Sequence, residues 1–130
     1  MNPRILLPLV ALTYGVTGMA LLFAPLQVAP WLGFASGPAL EAPLQLGSAG
    51  LLGFAMLNWM GRGAVYGGIY GRPLVVANFG FAAVAAPTLF RMQLADSGHP
   101  VGWTLSVIVA AVWVAYGWLL HSKPWLPPES

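Results

Sequence analysis

The feature that most limits the fold is the spacing of charge. Eight charged side chains occur in 130 residues, at Arg4, Glu41, Arg62, Arg72, Arg91, Asp96, Lys123 and Glu129, and long uncharged intervals separate most of them. Soluble proteins carry about 25% charged residues. Here the share is 6%, beside 58% apolar residues and a mean hydropathy of +0.77. So few charges cannot solvate a 13.7 kDa globule, so most of its surface must face lipid.

At about 1.5 Å of rise per residue, a helix needs about 20 apolar residues to cross a hydrocarbon core of about 30 Å. The uncharged intervals supply four such spans, at residues 5–23, 40–60, 73–90 and 102–121. The expected fold is all-α, a single integral membrane four-helix bundle over residues 1–130. Residues 24–39 contain Pro25, Pro30 and Pro38 and cannot span, yet Leu26, Val28, Trp31, Leu32 and Phe34 keep them apolar. They are expected to lie in the membrane interface. Among the prolines weighed, only Pro87 falls deep inside a span, where it predicts a kink. Five tryptophans, Trp31, Trp59, Trp103, Trp118 and Trp125, fall near span ends, as an interfacial belt requires.

Orientation follows from the basic residues. Arg4, Arg62, Arg72 and Lys123 share one face of a four-span topology, and Arg91 stands on the other with Glu41 and Asp96. The positive-inside rule then predicts an inner-membrane protein with both termini, including the tail 122–130, in the cytoplasm. Ala24 and Pro25 make a poor cleavage site after the first apolar run, so that helix is expected to be retained.

Helices in a bilayer associate through small residues and hydrogen bonds, because lipid tails are as apolar as leucine. Small residues recur here at helical spacing: Ala49 and Gly53 in the second span, Ala82 and Ala86 in the third, and Gly102, Ser106 and Ala110 in the fourth, with Ala111 and Ala115 on an adjoining stripe. These are the expected helix contacts, within one bundle or between copies. On the second helix, Gln45, Ser48, Ala55, Trp59 and Arg62 share an arc of about 100°, with Asn58 at its margin, and this arc is expected to face inward.

The densest polar and aromatic cluster joins the second and third spans: Asn58, Arg62, Tyr66, Tyr70, Arg72 and Asn78. Asn58 lies about 6 Å inside Arg62, and Asn78 about 9 Å inside Arg72, so the amides reach similar depth. They can face one another or share a ligand. The arginines could hold an anionic headgroup while the tyrosines cover its apolar part. The plainer reading, a tight loop with snorkelling arginines and interfacial tyrosines, is favoured. Tyr14 with Thr13 and Thr17 forms a milder patch read as packing.

The chain has no cysteine, two histidines at opposite ends of the fourth span and three carboxylates, a set poorly suited to metal binding or acid-base catalysis. No cofactor is predicted, though a lipid, quinone or pigment fits the composition. The G-x-x-G-x-x-x-L-F-x-P run with Gly15, Gly18, Phe23 and Pro25, followed by L-G-x-A-x-L-L-G with Leu46, Gly47, Ala49 and Gly53, resembles the small four-helix membrane proteins of the DoxX-like superfamily. The resemblance covers the first half of the chain. It implies a membrane subunit acting with other proteins, as in thiosulfate-quinone oxidation complexes, and carries over no catalytic residue.

Three functions stay open. The first is a non-catalytic accessory or scaffolding subunit of a larger membrane complex. The second is a binder or carrier of a lipid, quinone or pigment at the cytoplasmic-side cluster, and the third a small membrane enzyme. Expected partners are membrane lipids and other membrane subunits or a second copy, with no nucleic acid. Because the chain is free of cysteine, its orientation is testable with single introduced thiols. Ser36→Cys should react with a membrane-impermeant maleimide on intact cells, and Ser122→Cys only after permeabilisation; the reverse pattern would refute the orientation.

Overall fold

The computed structural model of the chain describes residues 3–63, 71–95 and 98–122, with the side chains of residues 3 and 4 left aside. Among the described residues every regular element is helical. The order is α1 (Pro3–Phe23), a one-turn α2 (Pro25–Val28), two 3-10 turns (Ala29–Leu32 and Pro38–Leu40), α3 (Glu41–Gly61), α4 (Gly71–Ala95) and α5 (Pro100–His121). Four helices are long and apolar enough to cross a membrane: Ile5–Phe23, Pro38–Gly61, Gly71–Ala95 and Pro100–His121. The chain is an all-α bundle of the membrane-spanning kind.

The bundle is built as two antiparallel pairs. α1 packs along α3, with Gly15 opposite Ala55 and Gly18 against Leu52, and α4 packs along α5, with Gly117 against Phe79. α3 approaches α4 near one end only, where Asn58 meets Asn78 and Gly61 lies against Leu74. A core of Leu7, Val10, Tyr14, Val75, Ala82, Val112, Tyr116 and Leu119 fills the space between the pairs. In hydrocarbon every hydroxyl needs a partner from the protein. Thr13, Thr88, Thr104 and Ser106 each donate to the carbonyl four residues earlier in their own helix.

The segment after α1 is a ledge across one end of the bundle. Val28, Ala29 and Leu32 are buried and cluster with Leu21 and Leu44. The chain reverses at Gly33, whose φ of +87° suits glycine and whose missing side chain leaves room for Met92 on α4. The ledge also reaches α5: a Cβ on Gly102 would run into the Trp31 carbonyl and the Gln93 amide. Trp31 stacks on His99, ring centroids 5.6 Å apart at 15°.

Three sequence expectations need correction. α4 continues to Ala95 rather than ending near residue 90, since no breaker follows Phe90 and the Arg91 side chain is exposed at the helix end. Pro8 as well as Pro87 lies inside a helix; at Pro8 the missing N–H leaves the Arg4 carbonyl without its usual donor. The expected inward arc of α3 is rotated: Leu44, Ser48, Ala55 and Asn58 are buried, whereas Trp59 and Arg62 face outward.

The glycines therefore divide into two kinds. Gly102→Ala should cost about 1–3 kcal/mol through overpacking against backbone. Gly53→Ala meets nothing within 4 Å and should be neutral, or stabilising by about 1 kcal/mol from helix propensity. Thermal unfolding of both variants in detergent tests this contrast.

Candidate functional sites

The two asparagines expected to reach equal depth do so, and they close on one another. Asn58 Nδ2 donates to Asn78 Oδ1 at 2.8 Å and to the Phe54 carbonyl at 2.8 Å. Asn78 Nδ2 donates to the Leu74 carbonyl at 2.9 Å. The hydroxyl of Tyr116, from α5, donates to Asn58 Oδ1 at 2.6 Å. All three side chains are fully buried. Both protons of the Asn58 amide are engaged and its oxygen accepts one bond, so the cluster links three helices.

Of the remaining described members, Arg62 stands apart. Arg62 is exposed; its guanidinium carbon lies 4.1 Å from the centroid of the Trp59 ring, and Nη1 donates to the Trp59 carbonyl. Arg72 is exposed on the first turn of α4. Tyr66 and Tyr70 lie outside the described residues. Tyr116 went unremarked in the sequence, although depth arithmetic points to it: five residues inside His121, it lies about 7 Å from that helix end, level with Asn58.

The predicted packing residues separate by face. Ala82, Ala86, Gly102, Ser106 and Ala115 are buried, and Ala110 packs at the core margin. Ala49, Gly53 and Ala111 are exposed. Spacing selects a stripe but not the side of the helix it occupies. On α3 the core face is the neighbouring one, carrying Ser48 and Ala55.

The opening lies at the other end of the bundle. Where the two helix pairs diverge, a cavity of about 450 Å³ separates α1 from α4 beneath the ledge. Tyr14, Thr17, Phe81 and Leu105 form part of its wall, Leu32 and Phe34 of the ledge close one side, and exposed Val84 and Thr88 stand at its edge. Tyr14 is 1% exposed and packs edge-on against Phe81, ring centroids 5.3 Å apart, and its hydroxyl has no hydrogen-bond partner among the described residues. The sequence patch of Tyr14, Thr13 and Thr17, read there as packing, is the polar part of this wall.

Gln93 is the second unexpected buried polar group. Its Oε1 accepts from the His99 backbone N–H at 3.1 Å, and Nε2 has no partner. His99 in turn caps α5, its Nδ1 accepting from Val101 N–H at 3.2 Å. The arrangement ties the α4 terminus to the α5 start. Among the described residues no three His, Asp or Glu side chains gather to hold a metal ion. Comparison with known proteins finds no match to a family model, a curated protein or a solved structure.

Membrane hydrogen bonds average about 0.6 kcal/mol and reach about 1.7. Tyr116→Phe strips Asn58 Oδ1 of its donor and should cost about 1–2 kcal/mol of bundle stability. Arg62→Ala should cost less than about 0.5 kcal/mol, its contacts being exposed. Unfolding by titration with sodium dodecyl sulfate measures both.

Proposed function

We propose that this chain is a small integral membrane protein that holds a lipophilic molecule, a lipid, quinone or pigment, in the cavity between α1 and α4. The observation that carries this reading is the cavity itself. Its wall is almost wholly apolar, it exceeds the smaller ligand pockets in volume, and its edge at Val84 and Thr88 faces the bilayer side of the bundle. This reading places the ligand at the opposite end of the bundle from the hydrogen-bonded asparagines. The distribution of basic residues supports placing both termini in the cytoplasm of a cell with an inner membrane, which puts the cavity in the outer half of that bilayer.

A second reading, an accessory subunit that packs against a larger complex, is favoured by the outer face of α3. Gly47, Gly50 and Gly53 have nothing within 4 Å where a Cβ would stand. Glycine inside a helix costs about 1 kcal/mol relative to alanine, and close approach of another transmembrane helix would offset that cost. Membership of the DoxX-like superfamily, proposed on the first-half glycine and proline pattern, agrees with a subunit role.

Extraction into lipid nanodiscs, followed by mass spectrometry of everything bound, tests both readings. One lipophilic molecule per chain is expected, absent from Val84→Trp, which fills the cavity mouth from an exposed position and leaves unfolding unchanged. No such molecule, or equal amounts in Val84→Trp, would refute the ligand reading. Gly53→Leu should leave the ligand in place; loss of a stoichiometric membrane protein in that variant alone would support the subunit reading.

A further inference from the structure

We infer that a groove on the outer face of the α1–α3 pair holds one acyl chain of an anionic phospholipid, with the lipid phosphate against Arg62. The groove is separate from the cavity between α1 and α4, and the inference does not rest on that cavity. It has a volume of about 570 Å³ and an apolar lining. Ala11, Gly15 and Ala55 are small, so little side chain fills the surface where α1 and α3 meet. Exposed Val16 and Met56 belong to its two sides. Because Gly15 faces Ala55 in an antiparallel pair, Ala11 is level with Trp59. From there to Met19 the lining follows α1 for about 12 Å, most of the roughly 15 Å depth of one leaflet.

Charge selects the occupant. Arg62 lies one turn beyond Trp59 toward the helix end, and its guanidinium carbon is 4.1 Å from the centroid of the Trp59 ring. Among the described residues it makes one side-chain hydrogen bond, from Nη1 to the Trp59 carbonyl. A guanidinium has five N–H groups in a fork that suits phosphate, so donors remain at this exposed position. In the sequence Arg4, Arg62, Arg72 and Lys123 fall at this end of the spans, with one carboxylate, Glu129, in the tail; Glu41 and Asp96 fall at the other end. A second copy laid on the groove about a twofold axis along the membrane normal would bring two Arg62 side chains to the same end of one interface, a like-charge contact. A phospholipid supplies hydrocarbon and the opposite charge in one molecule. It does so in the order the protein presents them, an apolar groove and then a cation one turn further out.

The test titrates the whole chain in detergent with palmitoyl-oleoyl phosphatidylglycerol and, separately, with phosphatidylcholine of the same chains, read by native mass spectrometry. The wild type should bind the first phosphatidylglycerol about fivefold more tightly than phosphatidylcholine. Arg62→Ala should abolish that preference, and so should Val16→Trp, which obstructs the groove. Both positions are exposed, so unfolding of the two variants should match that of the parent. Arg91→Ala removes the same charge at an exposed position at the opposite end and should leave the preference whole. Glycerophosphoglycerol, the headgroup without chains, should not displace the lipid at equal concentration. Equal binding of the two lipids by the wild type, a preference that survives in Arg62→Ala, or one lost equally in Arg91→Ala overturns the inference. A preference that survives in Val16→Trp, or displacement by glycerophosphoglycerol, reduces the site to a phosphate contact without a groove and overturns it as well. A wild-type dimer that Val16→Trp dissociates assigns the groove to a second copy, with the same consequence.

Discussion

The hydrogen bonds among Asn58, Asn78 and Tyr116 form a polar link between two helix pairs that otherwise meet through apolar packing. The helices form two pairs, α1 with α3 and α4 with α5, and in a bilayer no hydrophobic force draws one pair to the other. Asn58 belongs to the first pair, Asn78 and Tyr116 to the second, and their bonds of 2.6–2.8 Å cross the interface at full burial. In hydrocarbon an amide separated from such partners finds no water to replace them. The cluster therefore fixes the register of α3 against α4 and α5 as well as their separation. Pulling one helix away exposes several polar groups together.

Clamping at one end allows divergence at the other. Beyond Tyr14 the pairs separate, and the ledge of residues 25–40 spans the gap rather than filling it. That ledge is anchored by side chains absent as much as by those present: Gly33 admits Met92, and Gly102 admits the Trp31 carbonyl and Gln93. The His99 ring, stacked on Trp31, and its backbone bond to Gln93 complete a collar around the start of α5. Leu32 and Phe34 of the ledge and Leu105 and Val109 of α5 border the cavity, and its edge at Val84 and Thr88 is exposed.

Depth along the membrane normal was legible in the residues, and rotation about each helix axis was not. Charge intervals located four spans, and counting inward from Arg62 and Arg72 brought Asn58 and Asn78 level. Rotation is hard to read because lipid and protein interior are equally apolar, so the contrast that orients a soluble helix is missing. Hence Ala49 and Gly53 had the spacing of a contact stripe and lie outside, while Ser48 and Ala55 on the adjacent face form the contact. The helix end at Ala95 escaped for a related reason: a terminal arginine reads as a loop charge, although its long stem lets the helix continue. Tyr14 and Tyr116 looked alike in the sequence, each a single phenol in an apolar run. Only their surroundings separate them, one hydroxyl bonded to an amide and the other facing none.

An apolar void in a water-soluble protein stays empty or shrinks, since filling it with water is unfavourable. The same void open to a bilayer is bathed in hydrocarbon at high concentration, so any acyl chain or isoprenoid can enter, and volume alone distinguishes little. In this bundle the bonded cluster of Asn58, Asn78 and Tyr116 holds α3 to α4 and α5, and the cavity at the other end has an almost wholly apolar wall.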